Sequence, residues 1–182
     1  MNFVSTPLPG LMVIDPKAHR DARGFFVETY RSDIFALNGI LDVFVQDNHS
    51  LSARGTLRGL HYQLKPRAQA KLVRVTCGEV FDIAVDIRRQ SPTFGQWHGE
   101  VLSAENFRML YIPAGFAHGF LALSDRAEVQ YQVSDYYSPE HERGLRWDDP
   151  KLAIEWPDAG APRRMTDKDL RYPALADAEV FD

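Results

Sequence analysis

The sequence predicts an all-β protein: an antiparallel β-sandwich or jelly-roll barrel with short peripheral helices. Three observations predict it. Short apolar runs recur along the chain, separated by 12 glycines and 11 prolines scattered as turn markers. Phe81, Ile83, Val85 and Ile87 alternate with Val80, Asp82, Ala84 and Asp86. That period of two marks a strand with two different faces. Finally, only two short segments carry helix start or stop signals. At 182 residues the chain is long enough for one domain with a real core, and residues 1–182 are read as one domain because no linker, repeat or low-complexity tract interrupts them.

Taken in order, strands are expected at 11–14, 25–29, 43–48, 56–64, 71–77, 80–87, 97–102, 108–112, 119–123 and 128–135. Several are bounded by turn residues such as Gly10, Gly24, Gly55, Gly78, Gly95 and Pro113. A short helix is expected from Ser32 or Asp33 to the stop at Asn38-Gly39. A second helical turn is expected after Thr166, because Thr166 and Asp169 have capping-box-like spacing.

Composition excludes several classes. Hydrophobic residues are 45% and charged residues 25%, ordinary for a globular protein. A net charge of -4 gives no global attraction to nucleic acid. No run of about 18 apolar residues is present, and no basic segment followed by an apolar stretch opens the chain. A cytoplasmic protein, not bound to membranes, is the expectation. Cys77 is the one cysteine, which excludes an internal disulfide; its apolar run suggests a small buried residue.

The chemistry is concentrated in two stretches, Leu57-Arg58-Gly59-Leu60-His61-Tyr62-Gln63 and Pro113-Ala114-Gly115-Phe116-Ala117-His118, with Lys71 between them. They resemble the two strand-turn signatures of a cupin barrel with the metal chemistry removed. Where cupins carry a second histidine this chain has Gln63, and Lys71 stands seven residues before Gly78 in place of a glutamate. Two imidazoles, an amide and an ammonium make a poor divalent-cation site. No metal and no cofactor are therefore expected. What remains suits proton transfer without metal.

With Leu60 and Tyr62 facing out, His61 faces the barrel interior with Gly59 and Gln63. A lone strand histidine is commonly structural, but Arg58, Gln63, Lys71 and His118 are placed to converge near it. Free imidazole titrates near pH 6.5 and is a suitable general base. Such a base needs a carboxylate to fix its tautomer; Asp169, Asp82 and Asp86 all qualify. Asp169 in Thr166-Asp167-Lys168-Asp169 reads equally well as a helix cap. Lys71 inside a barrel suits a developing oxyanion, and an inward Tyr131 hydroxyl suits proton donation. Arg20–Glu28, Gln46–Ser50 and Asp135–Gly144 read as ligand-contact segments, since arginine forks suit phosphate oxygens and Phe26 or Tyr137 can stack on a planar base. Arg163-Arg164 reads as a solvated pair.

Together these segments, with Ser91-Pro92-Thr93-Phe94-Gly95-Gln96-Trp97 and Asp135-Tyr136-Tyr137-Ser138-Pro139, resemble the dTDP-4-dehydrorhamnose 3,5-epimerase family from about Val13 to Asp169. The resemblance implies epimerisation at C3 and C5 of dTDP-4-keto-6-deoxy-D-glucose, leading to dTDP-L-rhamnose. It implies that His61 is the base, Asp169 its partner, Tyr131 the proton donor on the opposite sugar face, and Lys71 the group stabilising the C4 enolate. It further implies substrate contacts at Arg23, Glu28, Gln46, Asn48, Arg58, His118, Glu142 and Lys168, beside the Phe26 contact read from the residues, stacking of Tyr137 on thymine, and a homodimer that exchanges N-terminal segments. Rival readings are an epimerase acting at one carbon, a non-catalytic sensor of sugar nucleotides and a metal-dependent cupin. The segment after Asp169 carries no distinctive motif.

Overall fold

The computed structural model describes residues 1–182. Thirteen strands form two stacked antiparallel sheets and a detached hairpin. The six-stranded sheet runs β1 (Asn2–Ser5), β2 (Met12–Asp15), β10 (Met109–Ile112), β7 (Lys71–Cys77), β12 (Arg126–Val133), β5 (Gln46–Ala53). The five-stranded sheet runs β13 (Glu142–Gly144), β6 (Leu57–Gln63), β11 (Phe116–Ala122), β8 (Glu79–Asp86), β9 (Trp97–Ser103). The hairpin pairs β3 (Ala18–Asp21) with β4 (Gly24–Val27). The one α-helix, α1, spans Ser32–Leu37, and a 3₁₀ turn spans Asp169–Arg171. The all-β sandwich expected from the sequence is the architecture observed.

Three apolar clusters hold the layers. Val73, Val75, Leu110 and Ile112 of the first sheet meet Val80, Ala84, Leu102, Phe120 and Ala122 of the second. The outer face of the second sheet presents Leu60, Tyr62, Ile83, Val85 and Ile87, which the chain after residue 144 covers with Leu145, Leu152, Leu175 and Phe181. The outer face of the first presents Ile14, Leu72 and Met109, covered by Phe35 and Ile40 of the helical segment. The period of two in β8 thus separates two apolar faces, one in each cluster. Leu60 and Tyr62 do face away from the barrel interior, but they are buried there rather than solvated.

Several boundaries differ from expectation. The strand predicted at 43–48 begins at Gln46 and continues to Ala53. Its second half, His49-Ser50-Leu51-Ser52, is an edge strand with a polar face, which weakens the apolar signal. Short strands β1, β3 and β13 carry too little apolar pattern to be read. Cys77 is partly exposed rather than buried, because it ends β7 at the turn into β8. Arg163 is exposed to solvent on one side yet lies 4.9 Å from the Trp147 ring centroid.

One irregularity positions the site. Opposite β11, His118 pairs with His61 and Phe120 with Arg58. Strand β6 therefore spends three residues where β11 spends two, a β-bulge at Gly59-Leu60. Gly59 sits at φ +129°, and a Cβ there would lie 2.6 Å from the Gly119 Cα, so glycine is required on both counts. Strict alternation would send Arg58 and His61 to opposite faces; the bulge returns both to the interior.

Candidate active site

The open end of the barrel holds two chambers. One, of about 240 Å³, is lined by Gln46, Asn48, Gln63, Gln69, Tyr137 and Glu142. The other, of about 300 Å³, is lined by Ser50, Arg58, His118, Thr166, Lys168 and Asp169. His61, Lys71 and Tyr131 line both. The two walls come from different sheets: His61 and His118 from the five-stranded one, Lys71, Tyr131, Gln46 and Asn48 from the six-stranded one.

His61 Nε2 hydrogen-bonds to Asp169 Oδ1 at 2.6 Å. Asp169 arrives from 108 residues away, on the turn that Thr166 Oγ1 organises by accepting from the Asp169 amide at 3.2 Å. Burial opposes ionisation of Asp169, but the His61 hydrogen bond and charge outweigh it and hold the carboxyl below its ordinary value. With Nε2 committed to Asp169, a neutral His61 ring keeps its lone pair on Nδ1. Of the three carboxylates open at the sequence level, Asp82 serves His118 instead, with both oxygens 3.0 Å from Nε2. Asp86 accepts from Arg88, Ser91 and Thr93.

Lys71 is buried, with Nζ 3.3 Å from the His61 carbonyl oxygen. Burial pushes its pKa down to about 8, although the charges of Asp82 and Glu142 pull the other way. Burial likewise lowers His118, against the pull of Asp82. Tyr131 is raised, chiefly by burial, so its hydroxyl remains a donor at neutral pH. Arg58 is anchored by Ser52 Oγ at 3.0 Å and the Leu51 carbonyl at 3.1 Å.

Gln63, the residue that replaces a cupin ligand, is a structural tie. It donates to the carbonyls of Arg67 (2.6 Å) and Tyr136 (3.2 Å) and accepts from the Ser138 amide at 2.7 Å. This fixes the loop carrying Tyr137, whose amide also donates to Gln46 Oε1 at 3.0 Å. Gln46 donates in turn to Asn48 Oδ1 at 2.9 Å. Glu142 accepts from Tyr137 at 2.7 Å and from Lys168 at 2.5 Å. Burial works against its charge, and these two partners keep it ionised. No group of three or more His, Cys, Asp or Glu side chains is arranged to hold a metal ion.

Eleven of the fourteen residues singled out in the sequence thus meet in one cavity. Arg23, Phe26 and Glu28 do not. They lie on or just after the β3–β4 hairpin; Arg23 is paired with Asp21 with its side chain 90% exposed, and Phe26 is 71% exposed. Sequence reasoning missed Gln69 and Thr166 as lining residues, which look like ordinary loop polar residues. It also missed Tyr172, whose ring packs on His61 and whose local segment has no motif.

The family model described as dTDP-4-dehydrorhamnose 3,5-epimerase matches residues 5–177. The chain is 55% identical over 182 residues to a dTDP-4-dehydrorhamnose 3,5-epimerase of Pseudomonas aeruginosa, covering 100% of this chain and 99% of that one. Among solved structures, a Legionella pneumophila 3,5-epimerase in complex with dTDP-4-keto-L-rhamnose superposes with TM-score 0.94 at 49% identity, covering 98% of this chain and 94% of that one. A 3'-monoepimerase of Streptomyces bikiniensis in complex with dTDP-quinovose superposes with TM-score 0.89 at 35% identity, covering 95% and 87%. Model, sequence and structure agree along nearly the full length, and the chain belongs to the dTDP-4-dehydrorhamnose 3,5-epimerase family.

Proposed function

We propose that this protein epimerises C5 and C3 of dTDP-4-keto-6-deoxy-D-glucose, giving dTDP-4-keto-L-rhamnose by proton transfer alone. The observation that carries the reading is that His61 and Tyr131 face one cavity from opposite sheets, with the Lys71 ammonium between the two chambers. Protons on C3 and C5 are acidified by the C4 ketone. His61 Nδ1 takes the proton while Asp169 stabilises the imidazolium that forms. Electron density moves to the C4 oxygen, where Lys71 supplies positive charge from a buried position. Tyr131 then delivers a proton from the other wall, and the centre inverts. The neutral state that burial favours for His118, with Nε2 donating to Asp82, leaves an acceptor nitrogen. That suits a sugar hydroxyl better than the oxyanion, so Lys71 carries the enolate charge.

Arg58 and Lys168 are the cations available for the diphosphate, and Tyr137 is the aromatic surface for the base. Gln46, Asn48 and Glu142 complete the polar lining. The exposed hairpin supports a homodimer in which Arg23, Phe26 and Glu28 of one copy enter the other copy's cavity. A single unpaired cysteine fits a reducing, cytoplasmic setting.

The test is NMR of dTDP-4-keto-6-deoxyglucose incubated with the protein in D2O. Deuterium at both C3 and C5 with inverted configuration is the expected result. Deuterium at one carbon assigns a mono-epimerase, and dTDP binding without any exchange removes the catalytic reading.

A further inference from the structure

The segment that follows Asp169, featureless in the sequence, touches the centre of the site. Tyr172 closes the Asp169–Arg171 turn in extended conformation. Its ring centroid lies 5.6 Å from that of His61 with the planes at 70°, an edge contact. The ring has room because residue 144 is glycine. Gly144 stands opposite His61 in the β13–β6 register, and a Cβ there would overlap the Tyr172 ring. The Pro173 carbonyl accepts from the Arg146 amide at 2.9 Å, which pins the backbone beside it. The Tyr172 hydroxyl, by contrast, is buried with no hydrogen-bond partner in the chain. The ring, not the hydroxyl, holds this side chain where it is.

Resting on the reading of His61 as the base, we propose that Tyr172 is a positioning residue that sets the rotation of the His61 imidazole. The hydrogen bond to Asp169 fixes one point of that ring, Nε2. It leaves rotation about the Cβ–Cγ bond available, and rotation re-aims Nδ1. An aromatic edge against the imidazole blocks that rotation. Asp169 and Tyr172 sit at the two ends of one short turn, so a single local structure supplies both constraints. Gly144 is the third part, because any side chain there would displace the tyrosine.

The experiment compares wild type with Tyr172→Phe and Tyr172→Leu, read by nitrogen-15 NMR of histidine-labelled protein and by steady-state kinetics. The His61 signals are assigned with His61→Gln. In wild type and Tyr172→Phe, the His61 ring is expected to give one set of sharp signals, with the proton on Nε2 shared with Asp169. Tyr172→Phe is also expected to unfold at or above the wild-type temperature, since it removes a buried hydroxyl without a partner. In Tyr172→Leu the ring signals should shift and broaden as the imidazole samples more than one rotation, and kcat should fall about tenfold with KM within twofold, as misaimed catalytic groups do. Gly144→Ala, which keeps the tyrosine but displaces it, should reproduce both effects and serves if the leucine variant does not fold. Wild-type ring signals in Tyr172→Leu overturn the proposal, whether or not kcat falls. So does a loss in Tyr172→Phe equal to that in Tyr172→Leu, which would give the role to the hydroxyl. A wild-type protein that turns over no dTDP-4-keto-6-deoxyglucose overturns the proposed function separately, because the ring-signal readout needs no substrate.

Discussion

Two histidine–carboxylate pairs sit on facing positions of neighbouring strands, and only their surroundings differ. His61 and His118 are register partners, and each points Nε2 at a carboxylate, Asp169 in one case and Asp82 in the other. The His118 side chain is 7% exposed and Asp82 is fully buried, both partners belonging to adjacent strands of one sheet. The His61 side chain is 32% exposed, and its carboxylate comes from a separate turn. Burial pulls His118 toward its neutral form, so it is suited to accept or donate a fixed hydrogen bond. His61 opens to the cavity and can exchange a proton with what enters it. The same two residue types thus make a structural and ligand-reading pair in one place and a base in the other.

The sharpest way to break this comparison is to neutralise each carboxylate in turn. Asp169→Asn should lower kcat on the order of 10³-fold, since the wrong tautomer of the base is then favoured, while dTDP affinity stays within a few-fold. Asp82→Asn should cost about 1–3 kcal/mol of stability through a disturbed buried hydrogen bond, and kcat only about tenfold. Steady-state kinetics and thermal unfolding of the two variants decide it. A larger kcat loss in Asp82→Asn than in Asp169→Asn would reverse the assignment of the base.

Lys71 sharpens the comparison, since it lies against the His61 carbonyl while its charge bears on His118. Lys71→Met should lower kcat about 10²–10³-fold, the usual loss for one oxyanion-stabilising group. It should also make the protein more stable, because burial disfavours the ammonium. The sign follows from linkage. The folded-state pKa is about 8 against an ordinary 10.5, so between those values the unfolded chain holds a proton that the folded chain has released. Wild-type stability gains over that window as pH rises. The advantage of Lys71→Met should therefore be full below pH 8 and shrink toward pH 10.5, measurable as a difference in unfolding temperature. In wild type, kcat/KM should fall as pH rises through about 8, as the cation is lost. A limb that stays in place in Lys71→Arg would assign it to another group.

How much of this was legible before folding depends on where the signal lies. The strand alternation of β8 and the turn residues around most strands reflect local physics, and they survive into the structure. Edge strand β5 and hairpin strand β3 owe their form to pairing partners, which local apolar pattern does not encode. His61, Lys71 and His118 are legible because polar residues interrupt apolar strands. The bulge that brings Arg58 alongside His61 hides in one glycine. Tyr172 is invisible because its meaning comes from contact with strands far away in sequence. The His61–Asp169 pairing is also nonlocal; on spacing alone Asp169 reads as a helix cap just as well.

That last ambiguity yields the smallest test. Thr166 Oγ1 accepts from the Asp169 amide, so the threonine does the capping and leaves the Asp169 carboxylate free to reach His61. In a full capping box the acidic residue would reach back to the Thr166 amide, and here it does not. Thr166→Ala should cost about 1 kcal/mol, a fall of roughly 2–4 °C in unfolding temperature for a chain of this size. Looser placement of Asp169 should lower kcat a few-fold. If Asp169 were only part of the cap, Thr166→Ala and Asp169→Asn would have matching effects on both quantities. On the present geometry they separate: the threonine variant loses stability with little activity, and the asparagine variant loses activity with little stability. The same turn thus contains its own control, with the cap on one residue and the chemistry three residues later.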